Sequence, residues 1–137
     1  MIFLLIDWPE RAVPEGLVLG GHEVWVRGGP GDQDYARWSR IGDEIFAGSQ
    51  GLAPKRADIV YVFRPLAEVP EALRLARRMG AGTLWYQSGR REDGERDSRG
   101  CWLSPEDAAW LERVTAADGM VLVWDRHVLD GLSGDVV

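Results

Sequence analysis

The stretch from Ala57 to Gly89 constrains this chain more than any other, because it reads as one complete β-α-β unit. Ile59 to Phe63 is an apolar run of β-branched and aromatic residues, long enough for a buried strand and too short for a helix. Arg64 and Pro65 end it. Leu66 to Met79 then places Leu66, Val69, Leu73 and Ala76 on one helical stripe, with Leu75 and Met79 beside it. The wet face carries Glu68 and Glu71 early and Arg74, Arg77 and Arg78 late, the order the helix dipole favours. Gly80 and Gly82 mark the stop, and Thr83 to Gln87 follows as a second strand. Strands joined by one crossover helix are parallel, and parallel sheets bind ligands beyond their carboxyl ends. That rule places Arg64, Gln87 and Ser88 on the functional edge.

Three further strands are readable: Ile2 to Ile6, His22 to Val26 and Met120 to Trp124. Ser104-Pro105-Glu106-Asp107 has the form of a helix start, and Ala108, Leu111 and Val114 form the buried stripe behind it. The expected fold is therefore α/β: a Rossmann-like, doubly wound, three-layer domain over residues 1–137. Its sheet is expected to be parallel and five-stranded in the order 3-2-1-4-5, with the switch point between the first and fourth strands. The spacing of Tyr35, Trp38, Ile41 and Ile45 predicts a helix across Asp34 to Phe46. The Ser88–Gly100 segment, with four arginines, four acids and three glycines, reads as a solvated, mobile loop that could close as a lid.

Bulk properties narrow the function classes. With sixteen basic and twenty-two acidic side chains the formal charge is -6, which argues against nucleic acid or anionic membrane as partner. No apolar run reaches membrane-spanning length, and the first residues lack a signal-peptide pattern. A single cysteine, Cys101, precludes an internal disulfide and fits a reducing cytoplasm. Two histidines and one cysteine, far apart in sequence, give no spacing for zinc, so no metal is expected.

The residues resemble a known family, the small single-domain CoA-binding proteins, similar to the CoA-binding domain of succinyl-CoA ligases. The likeness lies in Ala57 to Arg64, in Val69-Pro70-Glu71 of the following helix and in Leu84-Trp85-Tyr86-Gln87-Ser88-Gly89. Val123-Trp124-Asp125-Arg126 is similar to the family's Asp-Arg-Cys segment, with His127 in the cysteine's place. Gly42-Asp43-Glu44-Ile45-Phe46-Ala47-Gly48 resembles the family's glycine-flanked, hairpin-like segment. The likeness covers Ile41 to His127 best. It implies CoA, an acyl-CoA or a related nucleotide as ligand, held at the carboxyl edge of the sheet. Trp8, Arg11, Arg64, Trp85, Gln87, Ser88 and Asp125 are the candidate binding residues.

The family wraps the CoA pyrophosphate in a small-residue loop after the first strand. This chain has Asp7-Trp8-Pro9-Glu10-Arg11 there, with no glycine, one proline and two carboxylates. An unshielded carboxylate about 4 Å from a phosphate costs roughly 4 kcal/mol at an effective dielectric of 20. Weakened or lost phosphate binding is the expectation. A second reading is a small enzyme in the same crevice, with Asp7 and His127 as acid and base and Arg64 as anion clamp. A third is a non-catalytic interaction module, a homodimer or accessory subunit, using Trp38 and Trp102.

Overall fold

Residues 1–28, 34–49, 51–88 and 101–131 are described by the structure, a computed structural model. Five short apolar segments form parallel strands: β1 (Ile2–Ile6), β2 (Glu23–Arg27), β5 (Ile59–Val62), β6 (Thr83–Tyr86) and β7 (Val121–Val123). Between β2 and β5 lie β3 (Ala36–Ile41) and β4 (Glu44–Ser49). The helices are α1 (Ala12–Leu19), α2 (Val69–Arg78), α3 (Pro105–Ala117) and α4 (Val128–Gly131). The seven strands make one mixed sheet in the order β4-β3-β2-β1-β5-β6-β7.

The α/β, Rossmann-like class is as expected, but the strand count and order are not. The Ile59 strand pairs directly with β1, Leu5 opposite Tyr61, so the parallel part runs 2-1-3-4-5 in the numbering of the expected five strands. The switch point consequently lies between β1 and β5, not between the first and fourth strands. The Ile59 and Thr83 strands are parallel, as their crossover helix requires, with Tyr61 opposite Trp85.

The expected helix across Asp34 to Phe46 is a β-hairpin. Trp38 pairs with Val24 on one side and Ala47 on the other, both antiparallel. Of residues 36–41 only Ala36 and Trp38 follow a two-residue period, with Trp38 the buried member and Ile41 exposed. Gly42 and Asp43 decide between strand and helix. Gly42 turns at φ 61°, a left-handed conformation that opens a two-residue hairpin turn and terminates any helix. The glycine-flanked likeness in Gly42 to Gly48 was the better guide to this segment.

Strand alternation splits the core between two faces. Leu4, Ile6, Val60, Val62, Leu84 and Tyr86 point to the face covered by α2 and α3. Phe3, Leu5, Val24, Tyr61 and Trp85 point to the face covered by α1 and α4. Each fully buried aliphatic side chain contributes roughly 1.5–3 kcal/mol relative to exposure. On α2, Val69, Ala72, Leu73, Leu75 and Ala76 are buried, and the helix is preceded by a 3₁₀ turn, Leu66–Glu68. Ser104 caps α3 by accepting the Asp107 N–H at 3.1 Å, with Pro105 opening the helix. Because α1 and α2 lie on opposite faces, the ends of β1 and β5 form the switch point, the place where doubly wound sheets generally hold a ligand crevice. Most of the charged loop read as a lid, 89–100, lies outside the described residues.

Candidate functional site

The crevice begins where β1 ends. Asp7 has φ 62°, the left-handed region, and is the only non-glycine residue there among those described. That conformation costs on the order of 1 kcal/mol for an L-residue, least for Asp and Asn. It turns the carboxylate back onto its own loop. Asp7 Oδ1 accepts the Trp8 N–H at 2.8 Å, and Oδ2 lies 3.3 Å from Arg64 Nη1. The Asp7 N–H donates to the Arg27 carbonyl at 2.8 Å, which pins the turn to the end of β2. An amide and a guanidinium are the donors that a phosphate would require. Here a carboxylate of the chain occupies both.

Arg64, just past β5, is shared between two acids. Its Nε contacts both Glu68 carboxylate oxygens at 3.2 and 3.1 Å, and Nη2 reaches Oε2 at 2.8 Å. Glu68, then Asp7, hold the guanidinium above its usual pKa against the opposing effect of partial burial. Asp58 lies at the opposite edge of the sheet, where it accepts the Ile2 N–H at 2.7 Å. The Arg64 carbonyl accepts hydrogen bonds from Tyr86 Oη at 3.0 Å and from Ser88 Oγ. Asp7, Arg64 and Ser88 are thereby brought together.

Gln87 and Trp85 do different work. Gln87 is 1% exposed, its Nε2 donating to the Arg126 carbonyl at 2.7 Å and its Oε1 accepting the Val128 N–H at 3.0 Å. Trp85, also 1% exposed, donates Nε1 to the same carbonyl at 3.0 Å. These two side chains clamp the segment after β7 to the sheet, and both are almost fully buried. Cys101 Sγ, half-buried, lies 3.3 Å from Gln87 Nε2. Asp125 is exposed and lies 3.7 Å from the guanidinium of its neighbour Arg126. His127 Nδ1 accepts the Leu129 N–H at 3.2 Å, within the start of α4.

Trp8 and Arg11 stand on the α1 side. Trp8 is half-buried and meets Trp38 edge-on, with centroids 6.5 Å apart. Arg11 lies 4.8 Å over the Trp38 ring, pairs with Glu15 and donates to the Ile45 carbonyl at 3.2 Å. Trp38 is 7% exposed and belongs to the core, so it offers no docking surface of the kind the interaction reading assigned to it. Sequence reasoning missed this cluster, although the alternation of Arg37, Trp38 and Ser39 could have revealed it.

Tyr61 was also missed as more than a strand residue. It is fully buried, and among the described residues its hydroxyl has no hydrogen-bond partner. Burial pushes that hydroxyl upward from the ordinary tyrosine pKa, and the negative charges of Cys101, Asp7 and Glu10 add to the shift.

The group this fold implies is CoA, and the loop after β1 does not fit its pyrophosphate as arranged. Asp7 fills the donors, Pro9 supplies no N–H, and Arg11 is engaged elsewhere. Among the described residues no cluster of three or more His, Cys, Asp or Glu could hold a metal. No described helix is long and apolar enough to cross a membrane.

A doubly wound sheet with an Asp7–Arg64 ion pair at its switch point defines the class, a Rossmann-like α/β protein. The profile of the CoA binding domain family matches residues 41–129, well over half the chain, and the chain belongs to that family. The matched stretch runs from the hairpin into α4 and carries Arg64, Gln87 and His127, but not Asp7 to Arg11. No curated protein and no solved structure matches the chain.

Proposed function

We propose that this protein binds CoA, an acyl-CoA or a related nucleotide-type ligand in the crevice between the ends of β1 and β5, with its hold on the phosphates weakened. The observation that carries the reading is the Asp7–Arg64 pair across the switch point. Arg64 supplies the cation for an anionic ligand, and Asp7 competes for it. Both side chains are about a third exposed, 33% and 36%, so the pair is screened and can be opened by a ligand. Trp8, half-buried beside the loop, offers an aromatic surface for an adenine ring. Ser88 lines the same edge through its bond to the Arg64 carbonyl. Gln87 and Trp85 contribute by fixing that edge. The role is binding without covalent chemistry, since His127 Nδ1 and the Asp7 carboxylate are both engaged in local hydrogen bonds.

Native mass spectrometry of the purified protein, joined to calorimetry against CoA and adenosine, tests this. The reading expects an adenine-containing ligand retained or bound, with Arg64→Ala weakening CoA and leaving adenosine nearly unchanged. Absence of binding to both compounds at millimolar concentration would refute it.

A further inference from the structure

The chain carries a second concentration of positive charge, on the α2 face and away from the β1–α1 loop. It follows from how β4 is connected to β5. The segment 51–57 returns along the sheet from the end of β4 to the start of β5 without forming a helix. A connection that thin leaves the flank of α2 uncovered, and a cavity of about 510 Å³ lies between the two. Arg27, Tyr35, Lys55, Glu71, Arg78 and Met79 are among its lining residues. Three cations thus face one carboxylate, in a chain whose overall charge is -6.

The cations differ in how they are held. Arg27 is 3% exposed, donates to Tyr35 Oη at 2.7 Å and lies 5.1 Å over the Tyr35 ring. Its guanidinium is fixed in the cavity wall by these contacts. Lys55 and Arg78 are exposed, and neither forms an ion pair among the described residues. Arg74 and Arg77 extend the positive surface into an adjoining hollow that shares Glu71 and Arg78. Among the described residues, only Arg77 in that hollow forms an ion pair, with Asp118 at 3.5 Å. The remaining wall is apolar, with Pro54, Leu75 and Met79. A volume in the range of small-ligand pockets, an apolar wall and converging cations describe a site for a phosphate ester with a planar apolar body.

We infer that this trough binds a phosphate-bearing, nucleotide-sized small molecule through Arg27, Lys55 and Arg78. The inference stands apart from the crevice at Asp7 and Arg64 and does not depend on it. Calorimetry of the full chain with ADP and with glucose 6-phosphate, together with amide-shift mapping, tests the inference. ADP should bind and shift the amides of residues 51–55 and of the α2 flank. Arg78→Glu and Lys55→Glu, both surface changes that leave the core intact, should each weaken ADP by about tenfold, the size of one lost charge-assisted hydrogen bond. Arg64→Ala should leave the shifts at this trough unchanged, which separates a failure here from a failure at the crevice. Unaltered ADP affinity in both trough variants, or shifts confined to the Asp7 and Arg64 region, would overturn the site. Glucose 6-phosphate binding as tightly as ADP would overturn the assigned ligand class.

Discussion

Asp7 and Arg64 meet across the switch point of the sheet, 3.3 Å apart, one at the end of β1 and the other at the end of β5. The pair is partly exposed, so its net contribution to stability is at most about 1 kcal/mol. The backbone at Asp7 is the larger constraint, since φ 62° is tolerated by Asp and Asn and resisted by residues with a plain Cβ. Asp7→Asn should therefore change stability by less than about 0.5 kcal/mol, and Asp7→Ala should cost about 1–2 kcal/mol. Urea denaturation of the two variants checks this, and equal losses would show that the charge, not the backbone, matters.

Gln87 should behave as a structural clamp. Gln87→Leu leaves the buried Val128 N–H without its acceptor and removes one of two donors to the Arg126 carbonyl. A loss of about 2 kcal/mol or more is expected from thermal or urea unfolding. A variant as stable as the parent, with weakened ligand binding, would instead make Gln87 a contact residue.

Tyr61→Phe should be stabilising by about 1 kcal/mol, because it deletes little beyond a buried hydroxyl that has no partner among the described residues. A fall in melting temperature would mean that the hydroxyl is satisfied in solution, by water or by a bound molecule.

His22 should give the fold a pH dependence. Its Nδ1 lies 3.2 Å from the amino terminus and its ring meets Phe3 edge-on at 5.1 Å. Burial first, and then the positive N-terminus, lower its pKa below the ordinary 6.5. The folded protein thus binds this proton less well than the unfolded chain does. The penalty is absent above the ordinary value, grows as pH falls through 6.5 and levels off below the lowered value. His22→Gln should flatten the decline in stability across that window. Parallel curves for parent and variant would remove His22 as its source.

Much of the architecture was legible because the determining signals are local. The apolar run at Ile59, the amphipathic stripe of α2 and the Ser104 cap each specify their own element, and the structure places them as read. Strand order was not local. It depends on which neighbour β1 accepts, and both neighbouring strands are short and apolar enough to serve. The hairpin was misread because Tyr35, Trp38, Ile41 and Ile45 fit a helical spacing, while Gly42 carried the contrary signal in one residue. At the site, the sequence showed which residues reach the carboxyl edge but not how each is used. Trp85 in β6 and Gln87 just beyond it both donate to the Arg126 carbonyl, at 3.0 and 2.7 Å, a contact spanning some forty residues. Arg64 was the converse case: Glu68, four residues on, was a readable partner, whereas Asp7 meets it only through the β1–β5 pairing.

The central claim is that Asp7 occupies the donors a ligand phosphate would use. Calorimetric titration of CoA into the parent protein and into Asp7→Asn measures it directly. Removing a carboxylate so close to the phosphate position should tighten CoA by about tenfold or more, roughly 1.4 kcal/mol after solvent screening, while adenosine gains nothing. Micromolar or tighter CoA binding by the parent, dependent on the pyrophosphate and unchanged by Asp7→Asn, would contradict the account.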